Sequence, residues 1–246
     1  MELSKVVETL EEIASPELAE DFDIGRIGLT LDLDNDIKRI AVALDPTEYV
    51  LERVAQIGAD LLITHHTLIF HSVNLISKEL AGLLKIALEH EISLYSMHTN
   101  YDSAKGGVND VLAQRLGLND VYEVGMGRIG TIDECPLDVF IDHVAKSLNT
   151  HLQYVGEKDT IKKVMVFGGS GFKDDYLDIA RDNDVDAYVS AELKHDVLRS
   201  YDDLLLVDAT HYATENPAME TLCERLKDLL KIDVEFIAND PFLKVR

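Results

Sequence analysis

The chain has 246 residues, 46% of them hydrophobic and 28% charged, enough to bury one large core or two smaller ones and too apolar for a disordered polymer. Its 46 acidic and 23 basic residues give a formal charge of −23, a field that repels nucleic acid and acidic membranes wherever positive charge is not locally concentrated. No apolar run reaches the roughly 18 residues of a membrane span, the start MELSKVVETLEEIAS lacks the build of a signal peptide, and Cys135 and Cys223 make no disulfide framework, so a cytoplasmic home is expected.

In chain order, residues 3–14 read as a helix with Leu3, Val6, Val7, Leu10 and Ile13 on one face. IKRIAVALD (37–45) reads as a strand, followed by a helix from about 46 to 57 that Gly58 stops. DLLIT (60–64) is a short, wholly apolar strand of the buried kind. A helix over 77–90 leads to the strand 92–97, and Gly106-Gly107 opens another helix that closes near Gly117. The pattern then restarts. Residues 136–149 are helical, 151–155 extended, and 161–167 a strand that leads into Gly168-Gly169-Ser170-Gly171. Helices over 172–183 and 193–201 alternate with strands over 186–190 and 204–209. A last helix, about 215–231, precedes a terminal strand, 232–238. The alternation predicts an α/β fold of two blocks, 1–125 and 126–246, meeting where Gly125, Gly127, Gly130 and Pro136 cluster, with a terminal segment that can return to the first block.

Polar clusters sit just past three of these strands, where α/β sheets place their ligands. His65-His66 follows DLLIT. Adjacent residues of an extended segment point to opposite sides, so the doublet offers one imidazole to each of two ions if the chain turns there. His98-Thr-Asn-Tyr-Asp102 follows the next strand. Asp102 supplies a hard oxygen, and His98 is either a ligand or a group that orients one. The third cluster runs from Asp208 to Pro217. Proline is disfavoured beyond a first helical turn, so the last helix is expected to begin near 214–216, with His211 in the loop ahead of it and Glu215 at the helix N-terminus. Five donors, His65, His66, Asp102, His211 and Glu215, leave positions open across two ions if one carboxylate bridges, as in two-metal hydrolytic sites. The mixed nitrogen and oxygen set suits zinc, iron or manganese better than calcium.

The segments Asp60-Leu-Leu-Ile-Thr-His-His-Thr-Leu-Ile-Phe70, His98–Asp102, Gly106-Gly-Val-Asn-Asp110, Ala191-Glu-Leu-Lys-His195 and Asp208–Glu215 together resemble the NIF-three-like proteins, also called GTP cyclohydrolase I type 2 homologues, over nearly the whole chain. The resemblance implies two interlocked α/β domains of similar topology with mixed sheets and a dinuclear metal site in the cleft between them. It assigns His65, His211 and Glu215 to one ion and His66, Asp102 and Glu215 to the other, with Glu215 bridging and His98 nearby. It further implies a toroidal homohexamer and, from the short spacer between the blocks, the form without an inserted domain. Thr67, Tyr101, Ala191 and Thr210 depart from the family's usual proline, leucine, glycine and glycine beside the ligands.

Glu192, after the strand 186–190, reads either as a general base or as part of an exposed first helical turn, with Lys194 and His195 beside it. The Gly168–Gly171 run reads either as a tight turn or as a phosphate-binding loop; it lacks a Walker A ending. The functional expectation is a dinuclear-metal hydrolase acting on a nucleotide, of the GTP cyclohydrolase type. The competing class is a metal-stabilised hexameric scaffold without turnover. Nucleic acid is disfavoured as a partner by the charge.

Overall fold

The computed structural model describes residues 1–201, 203–241 and 243. The chain divides into two compact units, one of Met1–Lys105 with Ala218–Pro241, the other of Gly106–Pro217.

In the first unit, α1 (Leu3–Ile13) buries Leu3, Val6, Leu10 and Ile13, the stripe its 3.6-residue period demands. The sheet is built from β1 (Gly28–Leu31), β2 (Arg39–Ala43), β3 (Leu61–Thr64), β4 (Ser93–Ser96) and β11 (Asp233–Phe236), in the order β1-β4-β3-β2-β11. All neighbours run parallel except β1 on β4. Every residue of β3 and β4 is buried, the polar Thr64, Ser93 and Ser96 included. Between the strands lie α2 (Glu48–Ile57), α3 (Lys78–Glu89) and the five-residue α4 (Thr99–Ser103). Thr47 caps α2 by accepting from the Val50 N–H, and Gly58 ends it in the left-handed conformation that glycine tolerates. Val50, Leu51 and Val54 of α2 pack with Ala41, Ala43, Leu62 and Leu94 of the sheet. The terminal strand pairs with β2, with Val234 opposite Ile40.

In the second unit, α5 (Val108–Arg115) precedes a hairpin of β5 (Asn119–Val124) and β6 (Gly127–Pro136). Then follow α6 (Leu137–Leu148), β7 (Gln153–Val155), β8 (Thr160–Val166), α7 (Asp174–Asp182), β9 (Ala187–Ser190), α8 (His195–Ser200) and β10 (Leu205–Asp208). The sheet order is β5-β6-β8-β9-β10-β7, with β8, β9 and β10 parallel and the outer pairings antiparallel. Strand alternation splits its two faces. Val164, Val166, Val189, Leu205 and Val207 face Phe140, Val144 and Leu148 of α6, while Met165, Tyr188 and Leu206 face Leu177 of α7 and Val197 of α8. The glycine cluster near 125–135 lies in the turn and second strand of the β5–β6 hairpin. Gly125 takes φ +59 at the turn, and a Cβ on Gly130 would come within 2.9 Å of the Asn119 carbonyl oxygen. Its glycines serve close strand pairing.

The last helix, α9 (His211–Leu230), begins in the second unit and continues into the first past Pro217. This corrects the expectation of a helix starting at 214–216. The Thr210 carbonyl accepts the Thr214 N–H and closes a turn ahead of the proline, so His211 is the first helical residue instead of a loop residue. Proline at 217 lacks the N–H of a regular helical bond, and the buried Ala213, Ala218, Met219 and Leu222 hold the helix on either side.

Candidate metal centre

In the first unit, three parallel strands end at the same level. Ala43 lies opposite Thr64, and Thr64 opposite Ser96. The residues that follow are therefore set side by side by backbone register alone: Asp45 after β2, His65-His66 after β3, and Met97-His98 after β4. The exit is fixed further by the His66 N–H on the Leu44 carbonyl, the Met97 N–H on the Thr64 carbonyl, and the Thr64 hydroxyl donating to the His66 carbonyl at 2.7 Å. The chain does turn at the doublet. The rings of His65 and His66 lie 5.0 Å apart, tilted by 54°, and His98 is 5.0 Å from His65 and 5.6 Å from His66. One ring nitrogen from each of the three lies within 4.8 Å of the others. The first turn of α4, closed by the Asp102 N–H on the His98 carbonyl, lifts buried Asp102 to the same place, with Oδ1 3.6 Å from His65 Nε2.

Each of these imidazoles is tethered through Nδ1. His65 Nδ1 bonds the Met97 carbonyl oxygen at 2.8 Å, His66 Nδ1 the Asp45 carboxylate at 2.6 Å, and His98 Nδ1 the Asp23 carboxylate at 2.8 Å. A carbonyl or carboxylate oxygen can only accept, so the proton is assigned to Nδ1 and the lone pair to Nε2, the arrangement of metal-ligating histidines. Asp23 is fully buried. Burial pushes its carboxyl up, but hydrogen bonds from His98 and from the Thr99 hydroxyl and N–H outweigh it, and its pKa is lowered.

The second unit repeats the device at the carboxyl ends of β8, β9 and β10, level through Val166, Val189 and Val207. His211 Nδ1 bonds Glu192 Oε1 at 2.6 Å, and His211 Nε2 lies 3.0 Å from Glu215 Oε2, one turn along α9. Glu215 is buried, and glycine lets it in: a Cβ on Gly169, at φ +66, would stand 2.1 Å from Glu215 Oε1 and 3.0 Å from His211 Nε2. The Gly168–Gly171 loop is otherwise committed to the fold. Its Gly168, Gly169 and Gly171 N–H groups donate to Asn109 Oδ1, Thr214 Oγ1 and Ser190 Oγ, so the tight-turn reading holds over a phosphate cradle. His195 opens α8, is exposed, and belongs to no metal-ligand cluster among the described residues. Burial foremost pushes both cysteine thiols up, away from the reactive thiolate.

The sequence motifs did not include Asp45 or Asp23 as partners of the histidines, and they gave Gly169 no part in seating Glu215. Asp45 carried a signal, since it closes the strand-like run IKRIAVALD at its carboxyl end. Asp23 carried none, since its partners His98 and Thr99 lie more than seventy residues away.

Imidazoles tethered to present Nε2, beside buried carboxylates, at the strand ends of two α/β units have the donor chemistry of a divalent-metal protein. The chain belongs to the DUF34/NIF3 family: the family described as Duf34/NIF3 (NGG1p interacting factor 3) matches residues 1–241. The GTP cyclohydrolase 1 type 2 homolog of Clostridium perfringens is 34% identical, over 98% of this chain and 99% of that protein. That of Methanocaldococcus jannaschii is 32% identical, over 98% and 100%. Among solved structures, reduced HcgD from Methanocaldococcus jannaschii superposes with a TM-score of 0.85 at 31% identity, covering 96% of this chain and 97% of that one. A Bacillus cereus protein related to NIF3 shares the fold with a TM-score of 0.88 at 22% identity, covering 100% and 99%. No helix among the described residues is long and apolar enough to cross a membrane.

Proposed function

We propose that His65, His66, Asp102, His211 and Glu215 hold two divalent ions, zinc, iron or manganese, with Glu215 bridging, and that the protein is a metal-dependent hydrolase acting on a nucleotide. The observation that carries this reading is the Nδ1 tether on every candidate histidine ligand, the orienting contact that metal-ligating histidines make through their other ring nitrogen. Relatives spanning the whole chain bear the name GTP cyclohydrolase 1 type 2 homolog, which points to a purine nucleotide as the substrate to try first. The chemistry a divalent pair supplies when bound is acidification of water near neutral pH and neutralisation of charge developing on the substrate. Asp45 orients His66, and we read Glu192 as the group that orients His211 instead of as a general base, because its Oε1 is engaged with His211 Nδ1. His98, its Nδ1 proton held by Asp23, keeps Nε2 available as a further ligand or as the acceptor of a proton from water.

Elemental analysis of protein purified without added metal tests the site. About two ions per chain, falling sharply in Glu215→Ala, are expected; near-zero occupancy that added metal does not restore overturns it. Incubation of metal-loaded protein with GTP tests the reaction, and absence of formate and of any pterin-type product under several metals rules out the cyclohydrolase activity. The second reading is a metal-stabilised homohexameric scaffold without turnover. It is favoured by the exposed apolar side chains of Val73, Leu75 and Ile76, which suit burial on assembly, and sedimentation of the native protein measures the oligomer.

A further inference from the structure

Within the first unit, a cavity of about 460 Å³ opens beside the histidine cluster, with Phe22, Arg26, Thr30, Thr67, Phe70 and Ser72 in its wall. Phe22 and Phe70 belong to both places. Their ring centroids lie 6.4 and 5.9 Å from that of His98, nearly edge-on, while the same rings face the cavity. Thr67, the residue after His66, continues the wall directly from the doublet.

Among the described residues, Arg26 is the only cation lining this cavity. Its guanidinium carbon stands 4.5 Å from the Phe70 centroid and 5.9 Å from the Phe22 centroid, so the cation sits over aromatic rings. Arg39, Arg53, Arg128 and Arg181 each pair with a carboxylate, whereas Arg26 makes no ion pair among the described residues. In a chain with twice as many acidic as basic residues, an arginine kept clear of carboxylates is a conspicuous local excess of positive charge. A guanidinium held over aromatic rings keeps N–H groups for a planar or tetrahedral anion, and Thr67 and Ser72 bring further hydroxyls to the same wall.

We propose that this cavity is the subsite in which Arg26 receives a phosphate group of the ligand, carrying the rest of that molecule alongside Phe22 and Phe70 toward the histidines. The proposal deepens the nucleotide reading above and rests on it for the identity of the ligand, but its test is one of binding and needs no turnover.

Calorimetric titration with GTP, guanosine and inorganic phosphate is carried out on native protein, both metal-loaded and chelator-treated, and on Arg26→Ala and Arg26→Gln. The glutamine variant keeps a side-chain stem packed on the rings and so separates loss of charge from loss of packing. GTP is expected to bind native protein more tightly than guanosine. Both variants should weaken GTP by about ten- to a hundred-fold, with guanosine affinity and metal content unchanged. The dependence on Arg26 should persist after chelation. Inorganic phosphate binding with the same Arg26 dependence, and no gain from the nucleoside, would assign the subsite to the free anion and overturn the nucleotide form of the proposal. Equal GTP affinity in native protein and in Arg26→Gln, or GTP binding that vanishes on chelation and ignores Arg26, would assign the phosphates to the metal centre and overturn the subsite. Protein that takes up no metal on reconstitution, yet still binds GTP through Arg26, would instead count against the metal reading alone.

Discussion

Thr210 carries a β-branched side chain at φ +67, next to the residue that begins α9, and Glu192 stands at φ +62. Left-handed backbone costs a non-glycine residue roughly 1–2 kcal/mol, and more stringently so for a branched one. Thr210→Gly is expected to relieve that strain at the expense of a more flexible unfolded chain, a net stabilisation of up to about 1 kcal/mol. The chemical denaturation midpoint should rise at constant slope; a fall would mean that the contact of the Thr210 hydroxyl with Thr150 outweighs the strain. Glu192 is held in its own strained turn with its carboxylate on His211. Glu192→Ala should weaken metal binding by about 10–100-fold while the thermal midpoint of metal-free protein barely moves. Unchanged affinity in a competition assay against a chromophoric chelator would remove Glu192 from the site.

Among the elements, α9 departs furthest from what its sequence predicts. A rule that bars proline from helix interiors placed its start after His211, yet the helix begins there and passes through Pro217. Pro217→Ala supplies the N–H that proline lacks and should stabilise the protein by about 1–2 kcal/mol, less than the full helix penalty of proline because the unfolded chain gains freedom. Equilibrium unfolding in urea reads the difference, and no change would show that the local backbone already compensates. The polar clusters past β3, β4 and β10 were legible because continuous apolar runs end abruptly in histidine and carboxylate. The hairpin β5–β6 was not. Residues 119–123 are exposed throughout and show no alternation, and the glycines that permit its close pairing read as a boundary. The helix α4, which brings Asp102 to the histidines, is too short to declare a period. Buried Arg128 was equally silent: it pairs with Asp110, whose other oxygen accepts the Gly106 N–H, a tie that only folding reveals.

At the scale of the whole molecule, the proposed ligands come from segments between residues 65 and 215, so metal binding there would contribute to folding stability, since the unfolded chain offers no such set. Free ion at a hundred times its dissociation constant adds about 2.7 kcal/mol per site. Chelator should therefore lower the thermal midpoint by several degrees, and excess metal should restore it. A midpoint indifferent to both would mean that the donor sets do not bind ions in the folded protein.

The tethers on the histidines also differ in what mutation can reach. His66 and His211 are held by the side chains of Asp45 and Glu192, each one codon change away from losing its grip. His65 is held by the main-chain oxygen of Met97, which every amino acid supplies. Sequence drift can loosen the first two histidines while leaving the third aimed, so a diverging lineage would keep a stub of the proposed centre anchored on β3 long after its other anchors had gone.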